Sequence, residues 1–325
     1  MTPLERALRE RIAAEGPISV EAYMEACNAY YYATRDPLGA RGDFTTAPEI
    51  SQMFGELVGA ALADCWKRAG APAGAIYAEL GPGRGTLAGD ALRMMRSAGF
   101  ASEMHLVETS PVLREMQQQA VPDAYWHETI ADLPAGPLLL VANEFLDALP
   151  VRQHVGGIER LVTIAAGGLA FDRDGEIVET APVRDEAVAA VARHLAKHGG
   201  VALFIDYGHE RSGPGDTLQA VRGHGYAPVF GSPGDQDLTA HVDFEALAKA
   251  ARATGAAVSP VTTQGEWLIR LGIEARAQSL MRANPDRAEE VQAALERLTS
   301  EAQMGRLFKA VAVHSPDWPT PAGFA

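Results

Sequence analysis

The segment Ala78-Glu79-Leu80-Gly81-Pro82-Gly83-Arg84-Gly85-Thr86 joins a carboxylate to three glycines at alternate positions. The apolar run Ala75-Ile76-Tyr77 leads into it and predicts a buried strand, and Leu87 to Met95 predicts a helix. A glycine-rich turn between strand and helix lets a ligand lie against bare backbone at a helix N-terminus. The spacing is E-x-G-x-G-x-G, whereas a dinucleotide fingerprint would put its last glycine at Thr86. Glu79, at the strand end, suits a cationic or amine-bearing ligand. A strand-to-helix turn with no ligand is the competing reading, because short motifs carry false matches.

Ligands of open α/β sheets bind outside the carboxyl ends of the strands. Three further strand ends carry acids. Glu108 ends Met104-His105-Leu106-Val107-Glu108, where a carboxylate can accept both hydroxyls of a ribose. Thr109 or Ser110 then caps the helix that starts at Pro111. Glu144 and Asp147 follow the apolar run Pro137–Asn143, in Asn143-Glu144-Phe145-Leu146-Asp147-Ala148-Leu149-Pro150. An amide and a carboxylate there can orient an incoming nitrogen or oxygen; the alternative is acidic charge at a helix N-terminus. Asp206 ends Val201–Asp206 and precedes Tyr207-Gly208-His209, where His209 is a candidate base, although a lone histidine is more often structural. No Ser-His-Asp arrangement, H-E-x-x-H or P-loop lysine motif stands out, and no metal spacing surrounds Cys27 or Cys65.

The elements that must position these groups alternate strand and helix, which predicts an α/β fold on a mainly parallel sheet. Strands are expected near 75–80, 104–108, 124–126, 137–143, 201–206, 257–263 and 307–313. Before them, amphipathic helices are expected over 4–14 and 19–28, then an aromatic, turn-rich stretch over 30–39. Thr46 and Glu49 fit a capping box that opens a helix over 48–69, with Pro48 in its first turn. Residues 1–70 thus read as a helical cap on a ligand-binding core, 71–325. The core carries an inserted meander over 151–173, a helix over 184–198 and an accessory loop-and-helix region over 207–304, with helices near 243–254 and 266–304. Of 325 residues, 42 are acidic and 28 basic, a net charge of −14. That argues against general nucleic-acid binding and favours a substrate displaying arginine or lysine. Neither a secretory leader nor a run long enough to span a membrane is visible, so the expectation is a cytoplasmic protein without stable membrane insertion.

S-adenosylmethionine carries a sulfonium and an α-ammonium and no phosphate, and E-x-G-x-G-x-G resembles motif I of class I methyltransferases that use it. The stretch Gly42-Asp43-Phe44-Thr45-Thr46-Ala47-Pro48-Glu49-Ile50-Ser51-Gln52 resembles the signature of the MidA family. The likeness continues through Val107-Glu108-Thr109-Ser110, Asn143 to Pro150, Asp206 to His209, Gly215 to Ala220, Asp237 to Phe244, Thr263-Gln264-Gly265 and Met304 to Lys309. It spans nearly the whole chain. It implies a class I, Rossmann-like methyltransferase fold with a seven-stranded sheet, an N-terminal helical addition and inserted accessory segments. It also implies S-adenosylmethionine as cofactor and S-adenosylhomocysteine as product. Mitochondrial members of the family act on an arginine of a respiratory complex I subunit, so a protein acceptor bearing arginine is expected.

On this reading Glu79, Gly81, Pro82, Gly83, Gly85, Thr86, Glu108, Thr109 and Asn143 hold the cofactor. Glu144, Asp43, Asp206 and His209 are the catalytic candidates. Thr45, Thr46, Glu49, Asp147 and His241 are expected on the acceptor, with residues 42–52 closing over the transfer site opposite Glu144. Carboxylates grip a guanidinium bidentately, and Asp43, Glu49, Glu144, Asp147, Asp206 and Asp243 supply more of them than the cofactor needs. Two alternatives stand beside this. A small-molecule O-methyltransferase acting on a carboxylate would want Arg35, Arg41, Arg84 or His241 in its pocket. A non-catalytic assembly factor would bind the cofactor only as a structural ligand.

Overall fold

The computed structural model describes residues 1–35, 39, 42, 43 and 45–324. The central sheet contains β1 (Ile76–Leu80), β2 (Met104–Val107), β3 (Tyr125–His127), β4 (Leu138–Asn143), β5 (Gly200–His209), β6 (Ala257–Val258) and β7 (Phe308–His314). They lie in the order β3-β2-β1-β4-β5-β7-β6. β1 to β5 are parallel, and β7 runs antiparallel between β5 and β6. Short segments at 242–243 and 262–263 pair beside β5 and β7. This is the mainly parallel sheet expected from the alternating pattern. Its strand order reverses at β1, which has β2 on one side and β4 on the other; the crevice of such a sheet opens there.

Both faces of the sheet are covered, so its strands read as apolar runs. Tyr77, Leu139, Val141, Leu203 and Ile205 point to one face, and Ile76, Leu138, Leu140, Ala142 and Phe204 to the other. The helices in chain order are α1 (Pro3–Glu15), α2 (Val20–Thr34), α3 (Ala47–Ile50), α4 (Gln52–Arg68), α5 (Thr86–Ser97) and α6 (Pro111–Ala120). α7 (Pro182–His198), α8 (Phe244–Arg252), α9 (Gln264–Arg270), α10 (Ile273–Ala283) and α11 (Ala288–Thr299) follow. α4, α5 and α9 to α11 pack on the first face; α7 and α8 pack on the second. α4 and α5 cross so closely that a Cβ on Gly59 would lie 2.4 Å from the Ala91 carbonyl oxygen.

Several expected elements change on folding. α2 continues to Thr34, so Tyr30, Tyr31 and Tyr32 are helical rather than part of a turn. The helix expected over 48–69 breaks at Ser51, whose backbone is extended, giving α3 and α4. Thr46 makes no side-chain cap there, and Glu49 turns instead to Thr86 Oγ1 (2.5 Å) and Arg84 Nη1 (3.5 Å). A better partner on the glycine turn displaces the capping box. The expected meander extends to Thr180 and divides between two small sheets, one of which pairs Ile18–Ser19 with Leu161–Ala165. α1, α2 and this insert bury Leu8, Ile12, Tyr23, Met24, Val151, Val162 and Leu238 in a third cluster. The expected boundary near residue 70 is no break in packing, since α4 belongs to the main core. The long C-terminal helix is three shorter ones, interrupted at Leu271–Gly272 and Asn284–Arg287.

Candidate active site

The crevice beyond β1, β2 and β4 opens into a cavity of about 820 Å³. One wall is the glycine turn, where Gly81, Gly83 and Gly85 have φ of +59°, +55° and +82°. An L side chain is strained at each, and one at Gly81 would also lie 2.9 Å from the Phe145 ring. Glu79, Gly81, Pro82, Gly83, Thr86, Glu108, Thr109 and Asn143 line the cavity. Gly85 does not: it caps α5 in the left-handed region with Val121 3.4 Å from its would-be Cβ.

Glu79 is 3% exposed and accepts the Tyr77 hydroxyl at 2.8 Å. Burial pushes its carboxyl up to about 8, against that hydrogen bond. Glu108 accepts the backbone N–H of Thr109 (2.9 Å) and Ser110 (2.8 Å) on Oε1. Burial still raises its pKa. Its Oε2 accepts Gln117 Nε2 at 3.2 Å, and the same amide donates to the Gly83 carbonyl at 2.7 Å. Gln117 therefore locks the glycine turn to the second strand end, while Trp126 Nε1 donates to its Oε1 at 2.9 Å. Sequence reasoning missed Gln117, because a glutamine on α6 has no motif of its own; its fully buried position is a tertiary fact.

Glu144 lies at the turn after β4 with φ of +50°, a strained conformation for a residue with a Cβ. Its Oε1 accepts Ala47 N–H at 3.1 Å and Asn143 Nδ2 at 3.3 Å. Desolvation and, more weakly, the negative charge of Asp147 push its carboxyl up to about 8, opposed by the Ala47 N–H. Asn143 is 7% exposed, and its Oδ1 is buried with no partner among the described residues. Thr46, Pro48 and Glu49 line the cavity with Glu144, so α3 does border the site.

Other candidates lie elsewhere, with structural reasons. Asp43 accepts the Tyr31 hydroxyl (2.5 Å) and Gly223 N–H (2.6 Å), tying the segment before α3 to the 219–227 hairpin; neither it nor Thr45 lines the cavity. Asp206 is 1% exposed and accepts the N–H groups of Leu146 (3.0 Å) and Asp147 (3.2 Å), so it holds the Glu144 turn from behind. Burial, then the charges of Asp147 and Glu144, raise it well above the carboxylate range. Asp147 accepts Tyr207 Oη at 2.5 Å behind the same turn and does not line the cavity. Buried Arg184 donates to the carbonyls of Asp147, Leu149, Ala240 and His241.

His209, His241 and Asp243 line a separate cavity of about 670 Å³ on the far side of that turn. His209 Nε2 lies 3.8 Å from Asp243 Oδ2, while Asp243 Oδ1 caps α8. The cations that a carboxylate acceptor would want are dispersed. Arg84 lines the first cavity and faces Glu49, whereas Arg35 pairs with Asp235 at 2.6 Å, His241 is in the second cavity, and Arg41 lies outside the described residues.

The left-handed glycine cradle, a buried carboxylate at the second strand end and an acid at the fourth define a class I S-adenosylmethionine-dependent methyltransferase. The profile of a family described as putative S-adenosyl-L-methionine-dependent methyltransferases matches residues 57–172 and 161–262, and the chain belongs to that family. It is 36% identical, over 95% of its length and 84% of the relative's, to the Drosophila melanogaster protein named protein arginine methyltransferase NDUFAF7 homolog, mitochondrial. Identity to the human protein arginine methyltransferase NDUFAF7, mitochondrial, is 32%, over 95% of this chain and 82% of that one. A crystal structure from Burkholderia thailandensis, bound to S-adenosyl-homocysteine, superposes with a TM-score of 0.87 at 29% identity, covering 98% of this chain and 93% of the other. The family resemblance read from the sequence is borne out.

Proposed function

We propose that the protein transfers a methyl group to an arginine side chain of a polypeptide in the cytoplasm. The observation that carries the acceptor class is the placement of Glu144. A carboxylate with one oxygen already held by Ala47 and Asn143 presents Oε2, which has no hydrogen bond among the described residues, at the junction of cofactor turn and open cavity. The names of the relatives support the same class of acceptor.

When bound, S-adenosylmethionine supplies a methyl group on a sulfonium, already activated for in-line displacement. The residues present fit it: Gly81 to Gly83 offer bare backbone, Glu79 an anion for the α-ammonium, and Glu108 lone pairs for the ribose hydroxyls. Asn143 and Glu144 line the cavity where donor and acceptor would meet. An incoming guanidinium brings a positive charge that favours the ionised form of Glu144. Glu144 then orients the acceptor nitrogen and takes the proton that nitrogen loses as its new N–C bond forms. Asp206 and Arg184 act on Glu144 by holding its turn, and Asp147 also by its charge, which raises the Glu144 carboxyl. The enzyme's share of the rate is alignment, a dry cavity and one proton acceptor.

The test is transfer of labelled methyl to lysate proteins, followed by hydrolysis and separation of methylated amino acids. Label in methylarginine is expected. Glu144→Gln should lower the rate by roughly 100-fold or more while S-adenosylhomocysteine affinity stays within about threefold. Label in methyl esters or in small metabolites would refute the acceptor class.

A further inference from the structure

The cavity is longer than its assigned residues require. Beyond Glu144 it runs along one face of α2, formed by Glu21, Glu25, Asn28, Ala29 and Tyr32, at positions i, i+4, i+7, i+8 and i+11. The C-terminal half of this run is fixed at two points. Ser110 Oγ donates to the Tyr32 carbonyl at 2.6 Å, beside the Glu108 strand end. Asn28 Nδ2 donates to the Ala148 carbonyl at 2.8 Å, beside the Glu144 turn. Glu21 and Glu25 therefore stand at the outer end, across from Pro150 and Arg152.

The electrostatics of that outer end are incomplete. Glu21 Oε2 accepts Arg152 Nε at 2.8 Å, but Oε1 is buried and has no partner among the described residues. Glu25 is exposed and carries no ion pair among them. At the inner end, Asn143 Oδ1 is likewise buried and unpartnered. Between the two ends, Ala29, Ala148, Leu149 and Val183 give the lining an apolar stretch. An acidic mouth, an apolar middle stretch and two unfilled acceptor oxygens match a cationic side chain with an aliphatic stem, followed by further positive charge outside.

Resting on the arginine reading above, we propose that the acceptor enters between α2 and residues 148–152, and that Glu21 and Glu25 select an arginine flanked by basic residues. The helix supplies the distance. Seven residues separate Asn28 from Glu21, about 10 Å along the axis, or roughly three residues of extended chain. The preferred lysine or arginine should therefore lie within about three positions of the methylated one. Glu21 and Glu25 are specificity residues and stand away from the reacting atoms.

The experiment compares wild type with the Glu21→Gln/Glu25→Gln double variant in the labelled lysate assay at low salt, with labelled sites mapped by peptide sequencing. The double variant should form methylarginine at least fivefold more slowly, with S-adenosylhomocysteine affinity and melting temperature near wild type. Glu21→Asp/Glu25→Asp should recover most of the rate, and raising salt should slow wild type more than the glutamine variant. Wild-type rates in the glutamine variant, or labelled sites without a basic neighbour inside three positions, would overturn the proposal. Absence of methylarginine with wild type, while S-adenosylhomocysteine still binds, would instead refute the arginine reading and this proposal with it.

Discussion

Binding of S-adenosylhomocysteine should release a proton, and Glu79 should be its source. The ligand-free carboxyl is buried and pushed up to about 8, so it is mostly protonated at neutral pH. A ligand ammonium beside it favours the ionised form. With a free-state pKa near 8 and a much lower one in the complex, the ionised fraction rises from about 0.01 at pH 6 to about 0.5 at pH 8. Affinity should then improve roughly 50-fold over that interval, about 2.3 kcal/mol. Calorimetry in two buffers of different ionisation enthalpy measures the released proton directly. Close to one proton per ligand is expected at pH 6.5, and about half at pH 8. Glu79→Gln should bind more weakly at pH 8 and lose most of the pH dependence. Wild-type affinity constant within threefold from pH 6 to pH 8, with no proton released, would refute the reasoning. Glu144, also pushed up to about 8, is the internal control. If the dependence survives in Glu79→Gln and disappears in Glu144→Gln, the proton has been assigned to the wrong carboxyl.

The same shifts make the ligand-free protein less stable as pH rises. Glu79, Glu144 and Asp237 are each pushed up to about 8, so the unfolded chain ionises first; their stability is fullest below the ordinary carboxylate range and declines as pH rises toward 8. Each group contributes a slope of up to about 1.4 kcal/mol per pH unit, and melting temperature should fall between pH 5.5 and 8, with S-adenosylhomocysteine restoring part of it; a flat profile would count against these burials. Glu108→Ala removes the carboxylate expected on the ribose hydroxyls, with hydrogen bonds to a charged group worth about 1.5–3 kcal/mol each, and should weaken S-adenosylhomocysteine at least tenfold by calorimetry. Gln117→Leu, which frees the glycine turn from Glu108 and strands the Trp126 N–H, should both weaken that ligand severalfold and cost about 1–3 kcal/mol of stability by denaturant titration. Gly59→Ala forces α4 off α5 and should cost about 1–3 kcal/mol, with ligand affinity within twofold, because the crossing lies away from the cavity.

The sequence by itself was enough for the parallel sheet and for several residues that line the cavity beside the glycine turn. Buried parallel strands are continuous apolar runs, and a glycine cradle with carboxylates at fixed strand ends is a local pattern. Glu79, Gly81, Gly83, Glu108 and Glu144 were legible for that reason. Tertiary structure decided what those carboxylates meet. Asp206 has the same strand-end address as Glu108, yet it faces inward to the N–H groups of Leu146 and Asp147, and nothing in its neighbours' types announces the difference. His209 and His241 fall on the far side of the Glu144 turn because 207–243 wraps behind β4 and β5. Asp43 is drawn to a hairpin 180 residues away, while Ala47 supplies the N–H that reaches Glu144. The α2 wall of the cavity is the extreme case. α2 reads as an ordinary amphipathic helix, and only its docking between Ser110 and Ala148 turns one face toward the cavity. Periodicity fixes which residues share a face of a helix; packing against distant segments decides what that face sees.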